Sequence, residues 1–183
     1  MYNNDRVASW NVPLRTQIHK IDFEHGTTTG KRVIRVDGVE ILRRDWMFKL
    51  VGKEVFKFGT THCTINVEAI GNFAYEYSLT VNGKTYNKFK EEQNKKLQSW
   101  EMTIYGHDWR IVLDKDSMEI WANGNIIKKE AEFVDNGTET HFELGTTPCR
   151  IVTISSGDRK IGIIHQLYAD DKLIPSVSEK RGF

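Results

Sequence analysis

The sequence predicts an all-β chain built as two tandem, homologous, β-sandwich-like domains. Three observations predict it: a long internal repeat, apolar–polar alternation through most of both halves, and Asn-Gly or Asp-Gly pairs between the alternating runs. The repeat is clearest where "FKFGTTHCTINV" (Phe56 to Val67) lies over "FELGTTPCRIVT" (Phe142 to Thr153), 86 residues later, with six of twelve positions identical. Chance would supply about one, so the second stretch is a copy of the first.

The repeat extends through the chain. Ser9-Trp10 matches Ser99-Trp100 at an offset of 90, and "HKIDFE" (from His19) lies over "WRIVLD" (from Trp109). The offset falls to 86 where "VDGVEI" (from Val36) meets "ANGNII" (from Ala122). The four missing residues belong to a turn, "HGTTTGKR" against "KDSM", where a length change does least harm. "LTVNGKTY" (from Leu79) then faces "LYADDKLI" (from Leu167) at an offset of 88. The resulting division is an N-terminal β domain over 1–88, a charged linker over 89–98 and a C-terminal β domain over 99–183.

In order, "HKIDFEH", "KRVIRVD", "MFKLVGKEVFKF", "CTINVEAI" and "AYEYSLTVNGKTY" read as strands of the first half, with side chains alternating between two faces. "WRIVLDK", "SMEIWANG", "ETHFELG" and "GIIHQLYADDKLI" do the same in the second. Asp37-Gly38, Asn82-Gly83, Asn123-Gly124 and Asn136-Gly137 mark hairpins, because these residues tolerate the positive φ of type I′ turns. "KFKEEQNKKLQSW" (from Lys88) reads as a linker with at most a turn or two of helix. So many short strands in each half cannot bury both faces of one flat sheet, so each half should fold into a two-layer sandwich or a closed barrel.

Composition limits the function. A 39% hydrophobic share supports a packed core, and a net charge of +1 argues against a nucleic-acid binder relying on bulk charge. No apolar run is long enough to span a bilayer, so membrane insertion is not expected. "MYNNDRVASW" has neither a basic nor an apolar signal region, and two cysteines are few for a disulfide-stapled secreted domain. The expected address is the cytoplasm.

The residues with chemical potential reduce to structure one by one. Cys63 and Cys149 follow matching Gly-Thr-Thr turns and read as small buried hydrophobes, lying in two separate cores and too far apart to bridge. His62 beside Cys63 points to the opposite strand face, and the second half has Pro148 in its place. His19, His25, His62, His107, His141 and His165 show no metal-type spacing, so no metal is expected. "FEHGTTTGKR" lacks the phosphate-loop pattern and sits between strands. Asp22 and Glu24 share one strand face, but their counterparts are Val112 and Asp114, so a solvated face is the better reading. "SSG" (from Ser155) reads as a turn. Trp10 and Trp100 are repeat-equivalent and read as core anchors, whereas Trp46, Trp109 and Trp121 lack aromatic counterparts, which fits either a face used by one domain or simple divergence of the two cores. No catalytic residue and no cofactor is assigned, and the residues do not single out a protein-binding face.

"HKIDFEHGTTTGKRVIRVDG", "WMFKLVGKE", "NFAYEYSLTVNGK", "FVDNGTETHFELG" and "GIIHQLYADDKLIP" resemble, in order and spacing, the Fas apoptosis inhibitory molecule family, over about residues 8–175. The resemblance implies a cytosolic antagonist of death-receptor-triggered apoptosis, with links to neurite outgrowth signalling and to protection from protein aggregation. It implies a β-sandwich for each domain and brings no catalytic residue or cofactor. The charged segment at 88–98 and the tail "SVSEKRGF" depart most from the family pattern. The function expected is therefore that of a non-enzymatic regulator. Its partners would be signalling proteins of death-receptor or neurotrophin-receptor pathways, or misfolded proteins. A small-molecule or lipid carrier with a β-fold cavity, and a chaperone-like holdase, are the alternatives.

Overall fold

A computed structural model describes residues 5–181. The chain divides into two compact units. One takes the residues up to Leu14 with Ile18–Gln93; the other takes Arg15–Gln17 with Asn94 onward.

In the first unit, β1 (Arg6–Pro13), β2 (Ile18–His25), β3 (Arg32–Val36) and β4 (Val39–Arg44) form one antiparallel sheet in chain order. A second such sheet holds β5 (Gly52–Phe58), β6 (Thr61–Ile70), β7 (Ala74–Val81) and β8 (Lys84–Thr85). Ile21, Phe23 and Ile34 of the first sheet share one buried cluster with Phe56, Cys63, Ile65, Leu79 and Val81 of the second. Two sheets with a common apolar interior make a sandwich.

After β8 comes α1 (Tyr86–Lys96), and the unit boundary falls inside it. The second unit repeats the plan. β9 (Leu97–Ile104), β10 (His107–Asp114), β11 (Ile120–Ala122) and β12 (Asn125–Ile126) form its first sheet. The other sheet runs β13 (Glu130–Val134), β14 (Gly137–Leu144), β15 (Thr147–Ser155), β16 (Ile163–Ala169) and β17 (Lys172–Ile174), followed by the single turn α2 (Val177–Lys180).

Strand register bears out the sequence repeat residue by residue. Trp10 faces Ile21, which faces Val36; Trp100 faces Ile111, which faces Ala122. Phe56, Cys63 and Val81 align across the second sheet, as do Phe142, Cys149 and Ala169. The duplicated Gly-Thr-Thr is a two-residue hairpin: Gly59 and Gly145 adopt positive φ, and Thr61 and Thr147 open the next strands, buried.

Four details differ from the sequence reading. The segment read as a linker is an 11-residue helix. Its Lys, Glu and Gln residues favour helix, Lys95 and Lys96 suit its C-terminal dipole, and Phe89 is buried in the first core. The helix begins at Tyr86, two residues before Lys88, and the Tyr86 hydroxyl donates to the Asn11 carbonyl at 2.9 Å. Second, Met47–Val51 is not strand; β5 begins only at Gly52. Third, Asp37-Gly38, Asn82-Gly83 and Asn123-Gly124 have paired positive φ, but Asn136 does not. The turn there is Asp135-Asn136, and Gly137 opens β14 where a Cβ would lie 1.9 Å from the Thr153 carbonyl oxygen. Fourth, Trp100 is fully buried but Trp10 is only half-buried at the margin of its core.

Candidate functional site

The cysteines, His62, Asp22 and Glu24 offer no reactive group. Both thiols are free and buried, and burial pushes each up to about 11, so the thiolate a reactive cysteine needs is scarce. His62 is exposed on the face opposite Cys63. Asp22 meets Arg6 and Lys20, and Glu24 meets Arg35 at 2.6 Å and Lys31 at 3.3 Å. Burial alone would raise the Glu24 carboxyl, but its bonds to Arg35 and Lys31 leave it lowered.

Of the three unmatched tryptophans, Trp109 packs against the second core, and Trp121 lies half-buried beneath the Arg15 guanidinium at 5.1 Å. Trp46 alone stands open, 67% exposed, in the connection between β4 and β5. Phe48, two residues on, is 86% exposed, and its ring meets Trp46 edge-on at 6.3 Å. Two adjacent aromatic rings in water are unfavourable unless something covers them.

The backbone beneath them is held from inside the unit. Met47 donates its N–H to the Thr29 carbonyl at 2.9 Å. Gly30 passes so close that a Cβ there would meet the Met47 carbonyl oxygen at 2.4 Å, and its φ is 71°. Below, Arg32 (1% exposed) donates to Glu54 (3% exposed) at 3.0 Å. The same Glu54 oxygen accepts from Arg44 at 3.0 Å, and Arg32 reaches the Lys49 carbonyl at 3.4 Å. β3, β4, β5 and the intervening loop thus meet at one buried ion cluster. His25, opposite Arg32 in register, pairs through Nδ1 with the Tyr77 hydroxyl at 2.8 Å. Burial, then the Arg32 charge, lowers the His25 pKa and keeps the ring neutral.

The loop and the strands that flank it carry exposed apolar and charged side chains, among them Asp45 next to Trp46 and Glu40 on β4. Val39 and Ile41 of β4 and Val55 of β5 are exposed. Lys49, Lys53 and Lys57 are exposed as well. β4 and β5 are each the edge of a sheet, with backbone groups free to pair with another chain. The open tryptophan was legible as a residue lacking a counterpart. Phe48 and the Arg32–Glu54 pair were not, because neither forms a motif.

The model of the Fas apoptotic inhibitory molecule family matches residues 6–177. The chain belongs to that family. Fas apoptotic inhibitory molecule 1 of Homo sapiens is 52% identical over 176 residues, covering 95% of this chain and 98% of the relative. The Mus musculus protein is 51% identical over 177 residues, covering 96% and 99%, and that of Bos taurus 50% identical, covering 96% and 88%. The family is by name one of apoptosis inhibitors, as the sequence resemblance implied. Among the described residues no helix is long and apolar enough to cross a membrane.

Proposed function

We propose that this protein is a cytosolic, non-enzymatic regulator that restrains death-receptor-triggered apoptosis by binding other proteins through the Trp46–Phe48 loop. The supporting observation is the combination of two exposed aromatic rings with a backbone fixed by Thr29, Gly30 and the Arg32–Glu54 pair. Aromatic anchors on a pre-formed backbone lose little entropy on binding and are typical of the residues that dominate interfaces. Lys49, Lys53 and Lys57 favour a partner segment with acidic groups beside its apolar side chains. Signalling proteins of death-receptor or neurotrophin-receptor pathways, and misfolded chains, are the partner classes. The same loop would shield aggregation-prone segments.

The test is light scattering of an aggregating destabilised client, without ATP, in the presence of the full chain. Wild type should delay aggregation, and Trp46→Ser with Phe48→Ser should remove the delay. Equal delay by both proteins would refute the loop as the binding site. Both sandwich interiors hold clusters of buried apolar side chains, which lends the carrier reading no specific support.

A further inference from the structure

The second unit contains a side-chain constellation that the spacing rules for metal sites do not detect. Glu139 and His141 lie two apart on β14 and therefore project from one face of the sheet. Glu132 on β13 is the register partner of Glu139, so it projects from that face too. The His141 Nε2 lies 3.0 Å from a Glu132 oxygen and 3.3 Å from a Glu139 oxygen. One donor atom from each of the three falls within 4.8 Å of the others. Glu130, the register partner of His141, adds a fourth group on this face, and both line a cleft of about 820 Å³.

We propose that Glu132, Glu139 and His141 form a binding site for a borderline divalent cation of the zinc class. One imidazole and two carboxylates match the donor preferences of such ions, and the cleft leaves room for water or a further ligand. Arg150 on β15, the register partner of His141, places its Nε 3.9 Å from Glu139, and Lys128 and Lys129 line the same cleft. Arg150 is shared with other partners: it also pairs with Asp171, and its guanidinium stacks on Tyr168 at 4.6 Å. The site depends on β13, which the first unit lacks. At the positions of Glu139 and His141 the first unit carries Lys53 and Val55, so it has no second copy.

Calorimetric titration of the full, metal-stripped chain with zinc chloride tests this. One equivalent should bind. Glu132→Gln and His141→Ala should each weaken it by at least about tenfold, since losing even a supporting group costs that much at metal sites. His62→Ala, an exposed imidazole elsewhere, should leave binding unchanged. Amide shifts on zinc addition should concentrate in residues 130–134 and 137–142. No binding, equal binding by the variants, or shifts centred on another histidine would overturn the proposal and leave these residues as an ion-pair cluster.

Discussion

The connection from β4 to β5 and its counterpart from β12 to β14 occupy equivalent places in the repeat and have diverged in opposite directions. In the first unit the connection is a loop that shows Trp46 and Phe48 to solvent above a buried ion cluster. In the second it contains an added edge strand, β13, with Glu130, Glu132 and exposed Phe133. The supporting core differs in step. Arg32 and Glu54 are replaced at the repeat-equivalent positions by Met118, packed on the second core, and by buried Thr140. The sandwich therefore does not require the ion cluster. A buried ion pair is weak evidence for stability in itself, and here Arg32 also reaches the Lys49 carbonyl of the loop that carries Trp46 and Phe48.

The largest expected effect comes from breaking that cluster. Glu54→Ala leaves Arg32 buried and unpaired and should cost about 3–5 kcal/mol in urea unfolding. The double change Arg32→Met with Glu54→Thr copies the second unit and should recover most of that loss. A double variant no more stable than Glu54→Ala would mean the units do not share an interchangeable core.

Gly30→Ala comes next. It forces a side chain at a positive φ into the Met47 backbone, and a cost of about 1–3 kcal/mol is expected. Trp46 fluorescence should change with it if the loop shifts. Gly38→Ala, also at positive φ but with open space around it, should leave that emission alone.

The pH effect is smaller. The folded His25 pKa is lowered, so the unfolded chain binds the proton more readily. Stability is then fully present above the ordinary histidine value of about 6.5 and declines as pH falls through it, levelling off once the folded ring also protonates. His165 in the second unit is lowered too, by burial and then by Lys115. His25→Asn should flatten the acid side of the stability curve partway, and His165→Asn should remove much of the remainder. An unaltered curve in both would contradict the burial argument.

The smallest difference is expected at the cysteines. Both sit at the same repeat position, and burial raises both to about 11. Thiol reagent should label Cys63 and Cys149 at similarly slow rates in native buffer and quickly in urea. Fast labelling of one alone would break the equivalence of the two cores.

Much of this fold was legible because duplication writes each core position twice. Phe56 and Phe142, Cys63 and Cys149, and Ile65 and Ile151 could be paired before any coordinates, and all are buried. The misreadings fall where the halves diverge. α1 carries little apolar surface beyond Tyr86 and Phe89, so its helical period is faint. Met47–Val51 alternates like a strand, yet its backbone groups are taken by Thr29 and Arg32 rather than by a neighbouring strand. The candidate site was only half legible. Trp46 was one of three tryptophans lacking a counterpart and nothing in the sequence separated it from Trp109 and Trp121, whereas Arg32 with Glu54 and Glu132 with His141 are brought together across strands, and register is not written in local spacing.

If the Trp46–Phe48 loop is the binding site, protection of cells should depend on it. The most direct test is survival of cells lacking this protein under a death-receptor stimulus, after re-expression of wild type or of Trp46→Ser with Phe48→Ser at matched levels. Wild type should restore survival, and the double variant, folded and equally abundant, should not. Equal rescue by the double variant would contradict the loop's role.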